Sequence, residues 1–251
     1  MSSELITITN PKSPIAEAYR TLRTNIQFSN VDEDLKVICV TSSGPSEGKT
    51  TTSCNLAETF AQSGKRVLLI DGDLRKPRVH KLFKISGTKG LTNLLAGQST
   101  LEEVTSYAGS DLTVIPCGPI PPNPSELIAS KRMKELVANL RQQYDVIIID
   151  APPVGVVTDS AILSTIVDGT LLVIASGKTE IDEAKRAKQL LENVNARILG
   201  VVMTMIPVTK KGYYGYQYYS YEEEVHPARR KRGFFFKKIV YSIGDLIGCE
   251  I

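Results

Sequence analysis

The sequence contains little that would indicate a secreted or membrane-spanning protein. Its four cysteines are scattered through 251 residues without a C-x-x-C pair, which argues against a disulfide framework or a thiolate metal site. We expect Cys39 and Cys54, which fall in apolar segments, to be buried free thiols. No secretory signal opens the chain, and no apolar run is long enough to span a bilayer. We therefore predict a cytoplasmic protein that depends on a partner for any transmembrane role.

Length and charge favour one large α/β domain without pointing to a particular ligand. The chain is long enough to bury a sizeable core. Its net charge of +3 indicates no partner by itself. The positive charge is unevenly distributed, however, and most of the excess lies towards the C-terminal end.

Residues 37–52, VICVTSSGPSEGKTTT, have the pattern of a phosphate-binding loop. A β-branched apolar run ends in a turn rich in glycine, serine and proline, and a helical pattern follows, which is the context that such a loop requires. Gly48 allows the backbone to approach an anion, Lys49 can reach the outer phosphates, and the Thr50 hydroxyl can bind Mg²⁺. Ser43 takes the first glycine position of the G-x-x-x-x-G-K-[ST] pattern, where a small residue is tolerated. The predicted ATP-binding residues are Gly44, Pro45, Ser46, Glu47, Gly48, Lys49, Thr50 and Thr51.

Three aspartates stand where two predicted central strands end. The run at 66–75, RVLLIDGDLR, is typical of a buried parallel strand and leads into Asp71 and Asp73, while YDVIIIDAPP at 144–153 ends its strand at Asp150. Open α/β sheets bind ligands at the carboxyl ends of their strands. We therefore expect the three carboxylates to face the phosphate loop, with Asp150 in the position of a Walker B aspartate that helps to hold Mg²⁺.

The alternation of strands and helices predicts a doubly wound, mostly parallel sheet of the α/β class. The segment 118–125, GPIPPNPS, is a rigid connector, because proline lacks an N–H donor and fixes φ. Asp159, Asp168 and Asp182 lie near the ends of elements and are interpreted as caps or turn residues. Further strands are predicted at 112–116, 171–175 and 198–205, and helices at 51–63, 90–97, 126–142 and 181–195.

Another helix is predicted to begin at Ser13 and Pro14, because serine is a good N-cap and proline suits the first helical position. Apolar residues recur at helical spacing after it and form one face. Glu17, Arg20 and Arg23 lie beside that face. Most such charges form a solvated surface, and the residues alone leave open whether these do.

The chain after residue 207 differs from the domain before it. Six tyrosines crowd a stretch interrupted by glycine, which favours a mobile tail over an edge strand. The basic run RRKR at 229–232 then precedes an apolar end, which favours docking to an anionic membrane surface or a membrane partner. Nucleic-acid binding is a weaker interpretation, since the apolar end has no role in it. The predicted segments are a lead-in with its helix (1–34), a P-loop domain (35–207), a tyrosine-rich tail (208–224) and a basic, apolar extension (225–251). The six tyrosines are Tyr213, Tyr214, Tyr216, Tyr218, Tyr219 and Tyr221.

The loop and the carboxylates together predict phosphoryl transfer, which requires charge neutralisation, positioning and an acceptor for a proton. Three carboxylates exceed what metal binding alone needs, so one could accept a proton from a hydroxyl group. That hydroxyl could belong to water, giving an ATPase, or to a phenol, giving a tyrosine kinase. The loop does not decide between them, but six phenols on the same chain favour the second.

These motifs resemble those of the bacterial tyrosine kinases (BY-kinases) of capsular and exopolysaccharide synthesis. SSGPSEGKT is similar to their Walker A motif, LLIDGDLR to Walker A′ and IIIDAPP to Walker B. EAYRTLRTN at 17–25 is similar to their Glu-x-x-Arg-x-x-Arg assembly motif. GPIPPNPSELI and the tyrosine cluster also have counterparts in the family, so the resemblance extends to about residue 221. The extension at 222–251 exceeds the family pattern.

The resemblance implies an ATP- and Mg²⁺-dependent kinase that phosphorylates the tail tyrosines of a neighbouring subunit. Lys49 would be catalytic and bind the phosphates. Thr50, Asp73 and Asp150 would hold the metal, with Asp73 also counted among the catalytic residues. Asp71 would face the phenol.

Assembly and partners are implied in the same way. Glu17, Arg20 and Arg23 would make the contacts of a ring-shaped homo-oligomer. A transmembrane activator or adaptor would hold the kinase at the inner face of the cell membrane. Phosphorylation would place several dianions on one tail, and their repulsion would loosen its docking and the ring.

Two other functions are compatible with the same loop. A MinD/ParA-like positioning ATPase shares the fold and the Walker motifs, but such proteins carry a signature lysine where this chain has Gly44. Their use of a basic amphipathic C-terminal segment speaks for them. A nucleotide-gated scaffold for polysaccharide export, with negligible catalysis, is the third interpretation.

Overall fold

The structure is a computed structural model that describes residues 5–28, 35–108, 111–207 and, for the backbone alone, 237–241. The six tyrosines of the predicted tail, Cys249 and most of the C-terminal extension lie outside these residues. Within the described part, helices and strands alternate as the sequence predicts. No helix there combines the length and the apolar character that a membrane span requires.

Eight strands form one sheet in the order β3-β4-β2-β5-β1-β6-β7-β8. In this spatial order the six central strands, β4-β2-β5-β1-β6-β7, pair in parallel. The two edge strands, β3 and β8, pair antiparallel with their neighbours. This confirms the doubly wound, mostly parallel sheet. The strands are β1 (Val37–Ser42), β2 (Val67–Asp71), β3 (Ser106–Tyr107), β4 (Leu112–Ile115), β5 (Val146–Asp150), β6 (Gly169–Ala175), β7 (Ile198–Ile206) and β8 (Lys237–Tyr241).

Helices cover both faces of the sheet. One core layer lies between the sheet and α1, α2 and α3, and a second lies between the sheet and α7, α8 and α9. Strands β1, β2, β5 and β6 are buried along their whole length, which explains their continuous apolar sequences. The helices are α1 (Ile6–Thr9), α2 (Pro14–Phe28), α3 (Lys49–Ala61), α4 (Val79–Phe83), α5 (Leu91–Leu95), α6 (Leu101–Val104), α7 (Pro124–Ala129), α8 (Lys131–Leu140), α9 (Asp159–Ser164) and α10 (Ile181–Glu192).

The sequence prediction lacks five short elements, α1, α4, α6, α9 and β3, and it expects an extended lead-in where α1 lies. Helix α7 begins at Pro124, inside the stretch predicted as a rigid connector. Two further differences concern the helix predicted at 126–142 and the C-terminal extension. The single helix predicted at 126–142 is two helices, α7 and α8, separated at Ser130. That residue is extended, with ψ 153°, and its hydroxyl accepts the N–H of Met133 to cap α8. The second difference is β8, a backbone strand on the edge of β7 within the segment predicted only to dock to a membrane or a partner.

The expectation for the cysteines is confirmed where the structure describes them. Cys39 and Cys54 are buried and unpaired, and Cys117 is as well. Burial raises the pKa of the Cys39 thiol to about 12. A thiol with so high a pKa stays protonated and unreactive at neutral pH.

Candidate active site

The phosphate loop runs from the end of β1 to the start of α3, at the carboxyl edge of the sheet. Gly48 precedes the helix with φ +90°, a left-handed conformation that favours glycine, and Ser46 is also left-handed at φ +60°. All eight predicted ATP-binding residues lie in this loop or the first turn of α3. Thr51 has an exposed side chain, as Pro45 and Ser46 do, and its carbonyl group accepts hydrogen bonds from Tyr19 and Asn55.

Lys49 is buried at the first position of α3 and meets two of the predicted aspartates. Its Nζ lies 2.8 Å from Asp73 Oδ2 and 3.6 Å from Asp150 Oδ2. Thr50 Oγ1 is 3.4 Å from the same Nζ. Burial alone would lower the pKa of Lys49, but Asp150 and Asp73 outweigh it and the pKa is raised. Lysine, threonine and two carboxylates are thus brought together as the sequence predicts.

Asp71 lies beside Asp150, because the two residues are register partners at the ends of β2 and β5. Asp71 is fully buried, and its Oδ2 accepts the N–H of Val79 at 3.0 Å. Its Oδ1 has no hydrogen-bond partner in the described part of the chain. Burial and the neighbouring Asp150 raise the pKa of Asp71 to about 8.

Asp150 is also fully buried. Its Oδ1 accepts the hydroxyl of Ser53 at 3.0 Å, and its Oδ2 faces Lys49 without a hydrogen bond from any described residue. Burial raises the pKa of Asp150, although Lys49 opposes the shift. Because Asp150 Oδ2 accepts no hydrogen bond from the described residues, it can bind a further ligand.

Asp73 is held by the backbone that follows it. Its Oδ1 accepts the N–H groups of Arg75 at 3.3 Å and Lys76 at 2.9 Å. Burial would raise the pKa of Asp73, but Lys49 outweighs that effect, so the pKa is lowered and the carboxylate is charged. Asp73 is thus an ionised group in a fixed position beside the loop.

The Arg75 side chain connects the loop after β2 with the first turns of α7 and α9. It donates to both carboxylate oxygens of Asp159, at 2.9 and 3.1 Å, and to Ser125 Oγ at 2.8 Å. Ser125 in turn donates to Asp159 at 2.7 Å. Asp159 lies in the first turn of α9, near an element end as interpreted, and it is in addition a fully buried partner of Arg75. The sequence indicates that Asp159 lies near the end of an element. It does not indicate the contact with Arg75, which is 84 residues away in the chain.

The other two interpreted aspartates behave as the sequence suggests. Asp168 accepts the N–H groups of Lys36 and Val37 at the start of β1 and pairs with Arg141 at 2.7 Å. Asp182 lies in the first turn of α10, where an acidic side chain complements the helix dipole.

The arrangement fits a nucleotide with Mg²⁺. Mg²⁺ prefers oxygen ligands and keeps several waters, so it is bound by one or two protein groups together with phosphates. Thr50 Oγ1 and Asp150 Oδ2, which pairs with Lys49 but accepts no hydrogen bond from the described residues, supply such oxygens. Among the described residues, no group of three or more His, Cys, Asp and Glu side chains could hold an ion by itself. The protein would therefore bind the ion together with the phosphates.

The predicted assembly residues lie on α2 and make contacts within the chain. Glu17 Oε2 pairs with Arg20 Nη1 at 2.8 Å, and Arg20 also donates to Pro11 O at 2.7 Å. Arg23 donates to Thr59 O, at 3.0 Å, on the helix of the phosphate loop, while its Nε is buried without a described hydrogen-bond partner. The structure describes a single chain, so the assembly role stays a prediction.

Comparison with known proteins gives close relatives over most of the chain. A family profile described as an AAA domain matches residues 35–198. The tyrosine-protein kinase YwqD of Bacillus subtilis (strain 168) is 47% identical over 217 residues, which cover 86% of this chain and 92% of that protein. In structure, the chimerical protein CapA2B2 is similar at TM-score 0.77 and 42% identity, over 79% of this chain and 88% of that one. The kinase domain of the Escherichia coli tyrosine kinase ETK is similar at TM-score 0.77 and 36% identity, over 79% of this chain and 78% of that one.

Similarity to positioning ATPases is more distant. The cell-division ATPase MinD of Pyrococcus furiosus aligns at TM-score 0.57 and 24% identity, over 66% of this chain and 70% of that one. A likeness at that level concerns the fold alone.

Proposed function

The chain belongs to the bacterial tyrosine-protein kinases, and from this we propose that it transfers the γ-phosphoryl group of ATP to the tyrosines of a neighbouring copy. The acceptors would be the six tyrosines between residues 213 and 221. The observation that carries the proposal is the cluster of Asp71, Asp73 and Asp150 around Lys49, because it holds more carboxylates than a nucleotide-bound metal needs.

Each member of the cluster has a proposed part in the reaction. Lys49 leaves Asp73 and neutralises the phosphates. Asp73, Asp150 and the Thr50 hydroxyl would hold Mg²⁺, which would neutralise charge on the phosphates. The phenol oxygen forms a bond to the γ-phosphorus while the bond to the leaving oxygen of ADP breaks.

Asp71 is the proposed acceptor of the phenol proton. Its pKa of about 8 is closer to the pKa of a phenol, about 10, than that of an ordinary aspartate, about 4. A stronger base takes the proton more readily once it is ionised. Its Oδ1 also makes no hydrogen bond to the described residues that would compete for that proton.

Assembly and location complete the proposal. Glu17, Arg20 and Arg23 would form the contacts of a ring, which would bring the tail of one copy to the site of the next. A transmembrane activator or an anionic membrane surface would hold the protein at the inner face of the cell membrane. By the family resemblance, its role would lie in capsular or exopolysaccharide synthesis. No role in nucleic-acid binding is proposed.

Labelled ATP tests this function directly. Purified protein incubated with γ-labelled ATP and Mg²⁺ should acquire phosphotyrosine, and replacement of all six tyrosines by phenylalanine should remove it. Release of free phosphate without phosphotyrosine would instead favour a positioning ATPase. Bound nucleotide that stays intact would favour a scaffold.

A mixing experiment separates transfer between copies from transfer within one copy. One chain carries the six phenylalanines and an intact site. The other keeps its tyrosines but carries Lys49→Met together with Asp73→Asn, which removes a cation and an anion at once. Phosphotyrosine on the second chain is the expected result. If wild-type protein alone acquires phosphotyrosine but the mixture of the two variants does not, transfer between copies is refuted.

A further inference from the structure

The phosphate loop is held by residues that lie far away in the sequence. Lys178, in the turn between β6 and α10, donates from Nζ to Pro45 O at 2.6 Å and to Ser46 O at 3.2 Å. Thr204, near the end of β7, donates from Oγ1 to Glu47 O at 2.6 Å. Three successive carbonyl groups of the loop are therefore fixed by two side chains.

Fixing these carbonyl groups also fixes three N–H groups. A peptide unit is planar, and in the trans form its C=O and N–H bonds point in opposite directions. The carbonyl groups of residues 45, 46 and 47 share their peptide units with the N–H groups of Ser46, Glu47 and Gly48. No cis peptide occurs among the described residues. Each carbonyl group held outward thus turns one N–H group towards the opposite, inner side.

The three N–H groups are free for an anion. None of them donates a hydrogen bond to another residue in the described part of the chain. Unpaired backbone N–H groups that converge before a helix form an anion-binding concavity.

The Glu47 side chain supports the same loop from within. Its carboxylate accepts hydrogen bonds from Ser43 Oγ at 2.8 Å, Gly44 N at 2.9 Å and Thr179 Oγ1 at 2.5 Å. Thr179 adjoins Lys178, so one turn contacts the loop through two side chains. A carboxylate so close to a phosphate site would repel the ligand if it faced it. These three donors hold the carboxylate away from the free N–H groups.

We propose that Lys178 and Thr204 are positioning residues for nucleotide binding, which hold the loop's carbonyl groups outward and so aim its N–H groups at the phosphates. The inference rests on the proposed binding of nucleotide at this loop. It assigns the recognised group as a phosphate of a nucleoside di- or triphosphate. It gives Lys178 no direct contact with the ligand.

The test is the affinity of the full-length chain for ADP and for ATP, measured by calorimetry with Mg²⁺ present. Lys178→Met removes the ammonium group but keeps most of the stem, and we expect affinity for both nucleotides to fall about three- to tenfold, as for loss of a partly solvated charged hydrogen bond. Lys178→Arg should restore most of the loss. Lys185→Met removes an equal charge from an exposed position of α10 and is the matched control, with unchanged affinity expected.

Thr204 provides an independent pair of variants. Thr204→Val is nearly isosteric and removes only the donor, so affinity should fall about fivefold. Thr204→Ser keeps the hydroxyl group and should bind like the wild type. The melting temperature of nucleotide-free Lys178→Met, measured by circular dichroism, should differ little from that of the wild type. This comparison separates a positioning role from loss of the fold.

Three results would overturn the proposal. The first is wild-type affinity in both Lys178→Met and Thr204→Val. The second is a loss confined to ATP, since it would make Lys178 a direct ligand of the γ-phosphate. The third is a loss in Lys178→Met that Lys185→Met equals. Failure of the wild-type protein itself to bind either nucleotide would instead refute the proposed function, so the two failures are distinguishable.

Discussion

Replacement of Lys49 by methionine should destabilise the nucleotide-free protein as well as abolish phosphoryl transfer. Lys49 is the countercharge for Asp73 at 2.8 Å and Asp150 at 3.6 Å. The lysine and Asp73 side chains are only 10% and 5% exposed, and that of Asp150 is 0% exposed, so water screens these contacts little. Lys49→Met would leave two carboxylates next to Asp71 without a cation.

The size of the effect depends on pH because the carboxyl groups can take up protons. Removal of one partner of a buried pair costs about 3–5 kcal/mol. Protonation limits that cost: keeping one aspartate neutral costs at most about 5.6 kcal/mol at pH 8 and about 2.9 kcal/mol at pH 6, relative to its unfolded pKa of about 3.9. In the variant the folded pKa values are raised above the unfolded value. Stability is therefore lost as pH rises, and the deficit should be about 3–5 kcal/mol at pH 8 and smaller at pH 6, where keeping each stranded carboxyl neutral costs about 2.7 kcal/mol less.

Urea unfolding at the two pH values measures this deficit. Lys134→Met, which removes an exposed lysine of α8, should leave the midpoint unchanged at both. Lys49→Met with Asp73→Asn should recover a large part of the stability, because one of the two stranded carboxylates is gone. The reasoning would be refuted by a wild-type midpoint for Lys49→Met at pH 8, or by a deficit that is no smaller at pH 6.

Two further variants test the carboxylate cluster and the assembly helix. Asp71→Asn should abolish tyrosine labelling yet stabilise the nucleotide-free protein, by at least about 1 kcal/mol at pH 8.5 and less at pH 5. The folded state holds a proton on Asp71 up to a pKa of about 8, whereas the unfolded state releases it near pH 4, so wild-type stability is lost between these values. Equal urea midpoints at pH 8.5 would contradict this. Replacement of Glu17, Arg20 and Arg23 by alanine should convert the oligomer to monomers in light scattering. An unchanged particle mass would mean that these charges are only a solvated surface.

The carboxylate cluster could be predicted from the sequence because topology alone brings it together. Two continuous apolar runs must be central parallel strands, and parallel strands end at the same edge of a sheet. Asp71 and Asp150 are the last residues of β2 and β5 and are register partners. No side-chain detail was needed to expect them beside the phosphate loop.

The contacts that hold the loop and its neighbours could not be predicted in the same way. Lys178 meets Pro45 across 133 residues of sequence, and Thr204 meets Glu47 across 157. Neither lysine nor threonine carries a local pattern that names its partner. Ser130 is a different case. It separates α7 from α8 because its hydroxyl accepts the N–H of Met133 and caps α8. A serine within a helical pattern is compatible either with the interior of one helix or with the cap of a second, so the sequence does not decide between them.

The position of Lys49 explains why nucleotide and a divalent cation should bind together. In the nucleotide-free protein the ammonium group neutralises Asp73 and Asp150, and the same group is needed by the phosphates. If it moves to them, the carboxylates lose their countercharge and face a new anion nearby, which would oppose binding. A second cation beside Asp150 Oδ2, where no described hydrogen bond is made, removes that opposition. Such an exchange of one positive charge for another at the carboxylates would link metal binding to nucleotide binding, and the carboxylates that pair with Lys49 would become ligands of the metal.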